Sequence, residues 1–275
     1  MLGAIIGDIV GSTFEAENHR SPYFELFRQD GRFTDDSVCT VAVIDILNKY
    51  YEVDFSSDNI SNKLRLWCCT YLNRGFGSMF RQWVGNGVNV PYYSYGNGAL
   101  MRISPVAYFC IKRGISKEDC FIIAEKITSI THNHPEALLA VNLYIDILYE
   151  LLSNKLLSLS QKKDLIRNKL LEYKYELPES IVRYRISMEF DLTCRTSILV
   201  AIAAILETET FEDVLYQVVS VGGDSDTYAA IAGAMAEAIY GIPVYMYSEV
   251  KKYFKEYDSD MITVINSLYD KEHIL

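Results

Sequence analysis

Apolar positions recur along this chain at helical rather than strand spacing. Leu2, Ile5, Ile6, Ile9 and Val10 fall on one stripe of a helix, and Gly3, Gly7 and Gly11 recur every fourth residue on another. Glycine weakens an isolated helix, so this stripe predicts a helix that its neighbours approach closely. Val38, Val41, Ala42 and Leu47 predict a second helix. Leu64, Trp67, Cys68 and Tyr71 predict a third over 60–72, broken by Arg74-Gly75-Phe76-Gly77. Residues 85–98 read as loop, with a helix from Ala99. Ser116 and Asp119 open the next helix as a capping box. Pro135 stands at the first position of a long apolar helix that runs to Leu152. Residues 153–190 are polar and predict an exposed helix, a break at Pro178 and another helix. A buried helix over Thr193 to Leu206 and a capped one over Val214 to Val221 come next. Ala229 to Tyr240 reads as a helix of small and apolar residues, stopped by Gly241 with Pro243 beyond. Met246 to Leu275 predicts two amphipathic helices. No segment alternates over strand length, and no solenoid repeat or low-complexity linker occurs. The prediction is an all-α fold, a single compact multi-helix domain over residues 1–275.

Composition narrows the setting. A chain of 275 residues, half of them apolar, can bury a sizeable core. A formal net charge of -10 argues against nonspecific binding to nucleic acid or to an anionic membrane. A small anionic ligand stays possible, because local cations or metals override the global sign. The apolar start lacks a basic region and contains Asp8, so no secretory leader is expected, and no apolar run is long enough to span a bilayer. The six cysteines form no C-x-x-C pair and read as reduced thiols of a cytoplasmic protein, not as a zinc site.

The candidate chemistry lies in two acid clusters. Gly222-Gly223-Asp224-Ser225-Asp226-Thr227 precedes one helix, and Thr34-Asp35-Asp36-Ser37 precedes another. One acid at a helix start caps it, and a second is redundant and repels the first. Each pair alone reads as a cap beside a solvated acid. If the two pairs meet, divalent cations resolve the repulsion, since Mg²⁺ and Mn²⁺ take oxygen ligands. Asp8 reads from its apolar setting as a buried carboxylate organising hydrogen bonds, and Glu15 as a solvated residue. The glycines of Tyr92-Tyr93-Ser94-Tyr95-Gly96-Asn97-Gly98, ahead of the expected helix, offer N–H groups to a phosphate or simply form a turn, and the tyrosines suit stacking on a base or partial burial. His132 is read as hydrogen-bonding to a ligand or to backbone, and His134 as structural. The acidic charge disfavours a nuclease reading of His132-Asn133-His134.

Taken in order, several motifs resemble the ADP-ribosylglycohydrolase family. They are Gly7-Asp8 with Glu15, Thr34-Asp35-Asp36-Ser37, Arg74-Gly75-Phe76-Gly77, Tyr95-Gly96-Asn97-Gly98 running into Met101-Arg102, Thr131-His132 and the Gly222–Thr227 segment. The resemblance implies an all-α fold with a dinuclear metal site between helix N-termini, holding two divalent cations, Mg²⁺ or Mn²⁺. On the matching positions, Thr34, Asp35, Asp36, Asp224, Asp226 and Thr227 are the implied metal ligands and Glu15 the implied catalytic acid or base. Gly75, Gly77, Ser94, Tyr95, Gly96, Asn97, Gly98 and His132 are the implied substrate-binding residues. Ser37 stands where the family usually has Thr, and Met79 where a smaller residue is common, a change that bears on phosphate fit. The implied reaction is hydrolysis of the glycosidic bond between ADP-ribose and an ADP-ribosylated protein or other acceptor, with ADP-ribose as product. A dimetal pyrophosphohydrolase of ADP-ribose-type nucleotides, or a non-catalytic binder on the same scaffold, are the alternative expectations.

Overall fold

The computed structural model describes residues 1–269 and 275, and among these the chain forms helices and loops with no β-strand; an isolated antiparallel bridge joins Gly96 to Thr193. The chain opens with α1 (Leu2–Gly11), α2 (Asp35–Tyr50), α3 (Ser57–Thr70) and α4 (Ser78–Asn86). Its middle is α5 (Pro105–Arg113), α6 (Lys117–Ser129) and α7 (Pro135–Ser153), followed by α8 (Leu159–Glu172) and α9 (Ile181–Ser187) in the polar stretch. It closes with α10 (Cys194–Glu207), α11 (Phe211–Val219), α12 (Ser225–Tyr240), α13 (Val244–Lys251) and α14 (Ser259–Leu268). The predicted last helix extended further, into residues 270–274, which lie outside the described residues.

Local chemistry sets most of the boundaries. Ser116 Oγ accepts the Asp119 N–H at 3.1 Å, and Thr210 Oγ1 accepts the Asp213 N–H at 3.1 Å. The His134 ring accepts the Glu136 N–H at 3.1 Å, which gives that histidine its structural role as cap of α7. Three boundaries depart from the sequence reading. The helix expected from Ala99 begins at Pro105, because proline has no N–H and its ring excludes a preceding helical turn. Residues 97–99 form a single 3₁₀ turn instead, so the Gly96–Gly98 loop does not sit at an α-helix N-terminus. A short helix, α4, occupies 78–86, burying Phe80, Trp83 and Val84 on one face. α12 starts at Ser225, ahead of the expected Ala229.

The tightest packing in the core is between α1 and α12. α1 is buried at every position. A Cβ on Gly3 would lie 2.2 Å from Gly233 O, on Gly7 1.9 Å from Ala229 O, and on Gly11 2.4 Å from Asp226 Cα. The glycine stripe therefore lets two backbones touch, where any side chain would overlap main-chain atoms that cannot move aside. Leu2, Ile5 and Ile9 are almost wholly buried on the other stripe, each contributing roughly 1.5–3 kcal/mol relative to exposure. With α2 packed against the same helix, the starts of α2 and α12 both arrive beside the C-terminal half of α1. All six cysteines are free thiols, five buried and Cys69 exposed. No helix of the described residues is long and apolar enough to cross a membrane.

Candidate functional site

The first wall of the site is the start of α2. Thr34 is its N-cap, accepting the Asp36 N–H at 3.3 Å, so neither Asp35 nor Asp36 is needed as a cap. Asp8, fully buried on α1, fixes this turn. Its Oδ2 accepts the Thr34 N–H at 2.8 Å, the Ser37 N–H at 3.0 Å and the Ser37 hydroxyl, and its Oδ1 accepts the Thr34 hydroxyl at 2.7 Å. Asp8 is thus saturated with donors, the organising role its apolar setting suggested.

The second wall is the start of α12. Gly222 and Gly223 have φ of +74° and +65°, a left-handed pair that non-glycine residues rarely adopt. Asn18 Oδ1 accepts the Gly223 N–H at 2.9 Å and holds the turn. Asp224 follows at the N-cap position, yet its side chain caps nothing. Its Oδ2 instead accepts Asn97 Nδ2 at 2.6 Å, and Asn97 Nδ2 also lies 3.0 Å from Ser197 Oγ. The two walls touch where Thr227 Oγ1 donates to Asp36 Oδ2 at 3.3 Å. Asp36 Oδ1 is buried without any hydrogen-bond partner.

Burial and mutual repulsion dominate the electrostatics. Desolvation pushes Asp36 well above the ordinary carboxylate range, helped by the nearby charges of Asp226 and Asp8. Asp226 is raised in the same way, by burial and then by Asp224. Burial, with Asp8 next, pushes Asp35 up to about 8. Asp224 is raised by burial against the opposing Asn97 hydrogen bond. Glu15, exposed at the mouth, is raised by partial burial and by Asp224, with Arg32 opposing. Glu15, Asp224 and Asp226 bring one oxygen each within 4.8 Å of one another. At such a spacing two ionised carboxylates repel by about 3–4 kcal/mol at an effective dielectric of 20. A helix N-terminus offsets only about 0.3–1 kcal/mol. The cluster must therefore bind protons or cations. Its donors are carboxylate and hydroxyl oxygens, a set that suits hard divalent ions, and the orphaned Asp36 Oδ1 is a buried oxygen in want of a partner.

Both walls face one cavity of about 350 Å³. All six candidate ligands line it, with Glu15, Gly75, Gly77, Ser94, Gly96, Asn97, Gly98 and His132. Tyr95 is the exception among the sequence candidates. Its ring packs on His134 with centroids 5.2 Å apart, and its carbonyl accepts the Cys194 N–H at 3.0 Å. The loop is also a poorer anion cradle than its glycines suggested. The Gly96 N–H is engaged by Ser94 Oγ at 3.1 Å, and the Asn97 N–H by Leu192 O at 2.7 Å. The Asn97 side chain supports Asp224. Sequence reasoning missed Arg32, Arg74 and Arg102, three cations on the lining of an acidic protein's cavity, and also Phe190 and Leu192. Arg74 and Arg102 had a signal, since each stands in a motif already singled out. Phe190 and Leu192 had none, because the Gly96–Thr193 bridge brings their loop to the site.

Comparison with known proteins assigns the chain. The family model for ADP-ribosylglycohydrolase matches residues 1–272. The chain belongs to the ADP-ribosylglycohydrolase family. Within it, the chain is 25% identical over 263 residues to the ADP-ribosyl-[dinitrogen reductase] glycohydrolase of Rhodospirillum rubrum, covering 88% of this chain and 84% of that one. It is 25% identical over 272 residues to the ADP-ribosylarginine hydrolase Tri1 of Pseudomonas putida (strain GB-1), covering 88% of this chain and 70% of that one. The fold matches a solved ADP-ribosylglycohydrolase-related protein complex with a TM-score of 0.69 at 19% identity, over 98% of this chain and 94% of that one. The all-α architecture is thus that of an ADP-ribosylglycohydrolase.

Proposed function

We propose that this ADP-ribosylglycohydrolase family member is a divalent-cation-dependent hydrolase that removes ADP-ribose from an ADP-ribosylated protein or other acceptor. The bond cut is the glycosidic bond at the anomeric carbon of the distal ribose. The observation that carries this reading is the meeting of the two acid clusters, with Thr227 bonded to Asp36 at 3.3 Å and Asp36 Oδ1 left unpaired beside them. Named relatives acting on dinitrogen reductase-linked and arginine-linked ADP-ribose support the substrate class.

Thr34, Asp35, Asp36, Asp224, Asp226 and Thr227 would hold the cations, Mg²⁺ or Mn²⁺. Bound there, they would supply the positive charge that stabilises a developing negative charge and orients the substrate. The chain's own residues do the rest. Glu15 lines the cavity as an exposed side chain, with its carboxyl pKa raised above the ordinary value by partial burial and Asp224. That suits it to take a proton from the attacking water or to give one to the leaving group, work worth about 10²–10⁴-fold. Cleavage of such a bond passes through an oxocarbenium-like state, which nearby carboxylates favour. Asp8 locks the Thr34–Ser37 turn, and Asn97 locks Asp224, so the oxygens keep their places between turnovers. Arg32 and Arg74 give the cavity positive charge for the pyrophosphate.

Product analysis tests the reading. ADP-ribosylated arginine, serine and nucleic-acid-end substrates are incubated with the full chain and Mg²⁺ or Mn²⁺. Release of free ADP-ribose from at least one supports glycosidic cleavage. Release of AMP would reassign the site to pyrophosphate hydrolysis, and no turnover with retained ADP-ribose binding would make the protein a binder.

A further inference from the structure

Arg102 is almost completely buried, at 1% exposure, yet lines the cavity. No carboxylate pairs with it among the described residues, and its Nε and Nη1 have no hydrogen-bond partner. Its Nη2 donates to Thr131 Oγ1 at 2.6 Å, and Thr131 Oγ1 lies 2.8 Å from His132 Nδ1. We infer that Arg102 is a positioning residue, which acts through Thr131 to hold His132 as the Nε2–H tautomer so that the ring presents a donor to an anionic oxygen of the ligand.

Guanidinium nitrogens only donate, so Thr131 Oγ1 must accept from Arg102. The one hydroxyl proton then has two places to go, the His132 Nδ1 at 2.8 Å or the Thr128 carbonyl at 3.5 Å. The shorter contact wins, because a 3.5 Å oxygen–oxygen approach is at the limit of a hydrogen bond. Nδ1 is then an acceptor, and in a neutral imidazole the remaining proton sits on Nε2. Neutrality follows from the setting: burial, and then the Arg102 charge, hold the ring's pKa well below the ordinary histidine value.

The glycines explain why Nε2 is available. A Cβ on Gly98 would stand 3.2 Å from His132 Nε2, and one on Gly96 4.0 Å from it. Side chains at these positions would cover the nitrogen. Without them it faces the cavity that His132 lines. Tyr92 steadies the other side of the ring, edge-to-face at 5.6 Å. That the ligand is ADP-ribose rests on the proposed function; the tautomer does not.

The test is long-range proton–nitrogen NMR on ligand-free full chain labelled with ¹⁵N-histidine, with His132→Gln assigning the signal. A bare Nδ1 and a protonated Nε2 at neutral pH are expected. A protonated Nδ1 or a charged ring would overturn the inference. Thr131→Ser keeps the hydroxyl and should keep the tautomer, while Thr131→Val and Arg102→Met should each give mixed tautomers. An unchanged signal in Arg102→Met removes its positioning role, and if that variant does not fold, the Thr131 pair decides. ADP-ribose affinity by calorimetry should fall roughly tenfold in Thr131→Val, the size of one hydrogen bond to a charged group, and be restored in Thr131→Ser. Equal affinity in wild type and Thr131→Val counts against the donor role. The expected tautomer without any ADP-ribose binding would support the relay and refute the substrate assignment.

Discussion

Thr227 Oγ1 donates to Asp36 Oδ2 at 3.3 Å, tying together two helix starts that lie 191 residues apart in the chain. This bond joins two clusters of buried carboxylates, so the fold's stability depends on what neutralises them. Asp35 has its folded-state pKa pushed up to about 8, against about 3.9 for an unperturbed aspartate. Between those values the folded protein holds a proton that the unfolded chain has released. Stability of the cation-free protein should therefore fall as pH rises through that window, and Asp36, Asp224 and Asp226 act in the same direction. Thermal melts of chelator-treated protein should show Tm declining from about pH 5 to about pH 8, with Mg²⁺ or Mn²⁺ restoring most of it at the upper end. A Tm that climbs over this range without cations would contradict the electrostatic account.

Glu15→Gln keeps the size of the side chain and removes its capacity to accept a proton. Turnover should drop by about 10²–10⁴-fold while ADP-ribose binding changes only a few-fold. Steady-state kinetics beside calorimetry separates the two. Wild-type turnover in this variant would take Glu15 out of the chemistry.

Gly7→Ala places a methyl 1.9 Å from Ala229 O, backbone against backbone. Denaturant melts should show a loss of about 3 kcal/mol or more, at the upper end of overpacking effects. Gly77→Ala is the control. Nothing lies within 4 Å of its added Cβ and its φ is -60°, so its stability should stay within about 0.5 kcal/mol of wild type. Similar losses at both positions would show that close helix approach is not what the glycine stripe provides.

Asn97→Ala removes the 2.6 Å bond to Asp224 Oδ2. If Asn97 works by orienting that carboxylate, Mn²⁺ affinity should fall about 10–100-fold in the absence of any nucleotide. Unchanged metal affinity with weakened ADP-ribose binding would return Asn97 to the substrate-contacting role that the family resemblance implied.

The helices were largely legible because their signals are local. Spacing of Leu2, Ile5 and Ile9, caps at Ser116 and Thr210, and Pro135 at a helix start act within a turn or two. The helix starts that differ from expectation also have local causes. Pro105 was a stronger boundary than Gly98, and the acids of Asp224 to Asp226 concealed a helix that already begins at Ser225. In the site, the paired acids beside hydroxyls stand out because the arrangement occurs twice, at Thr34–Ser37 and at Asp224–Thr227; each pair alone reads as a cap. Direction was not visible. Tyr95 turns to His134 and Asn97 to Asp224, choices made by partners far away in sequence. Phe190 and Leu192 reach the cavity only through tertiary pairing, and Arg102 carries no pattern that separates a buried lone cation from a salt-bridged one.

Calorimetric titration of Mn²⁺ into chelator-stripped wild type, Asp36→Asn and Asp224→Asn tests the central claim most directly. Binding in the wild type that weakens by at least about tenfold in each variant is the expected result, since each change removes a charged oxygen donor from the pair of clusters. No Mn²⁺ binding by the wild type, or equal binding by all three proteins, would mean that the two acid clusters meet for some reason other than holding cations.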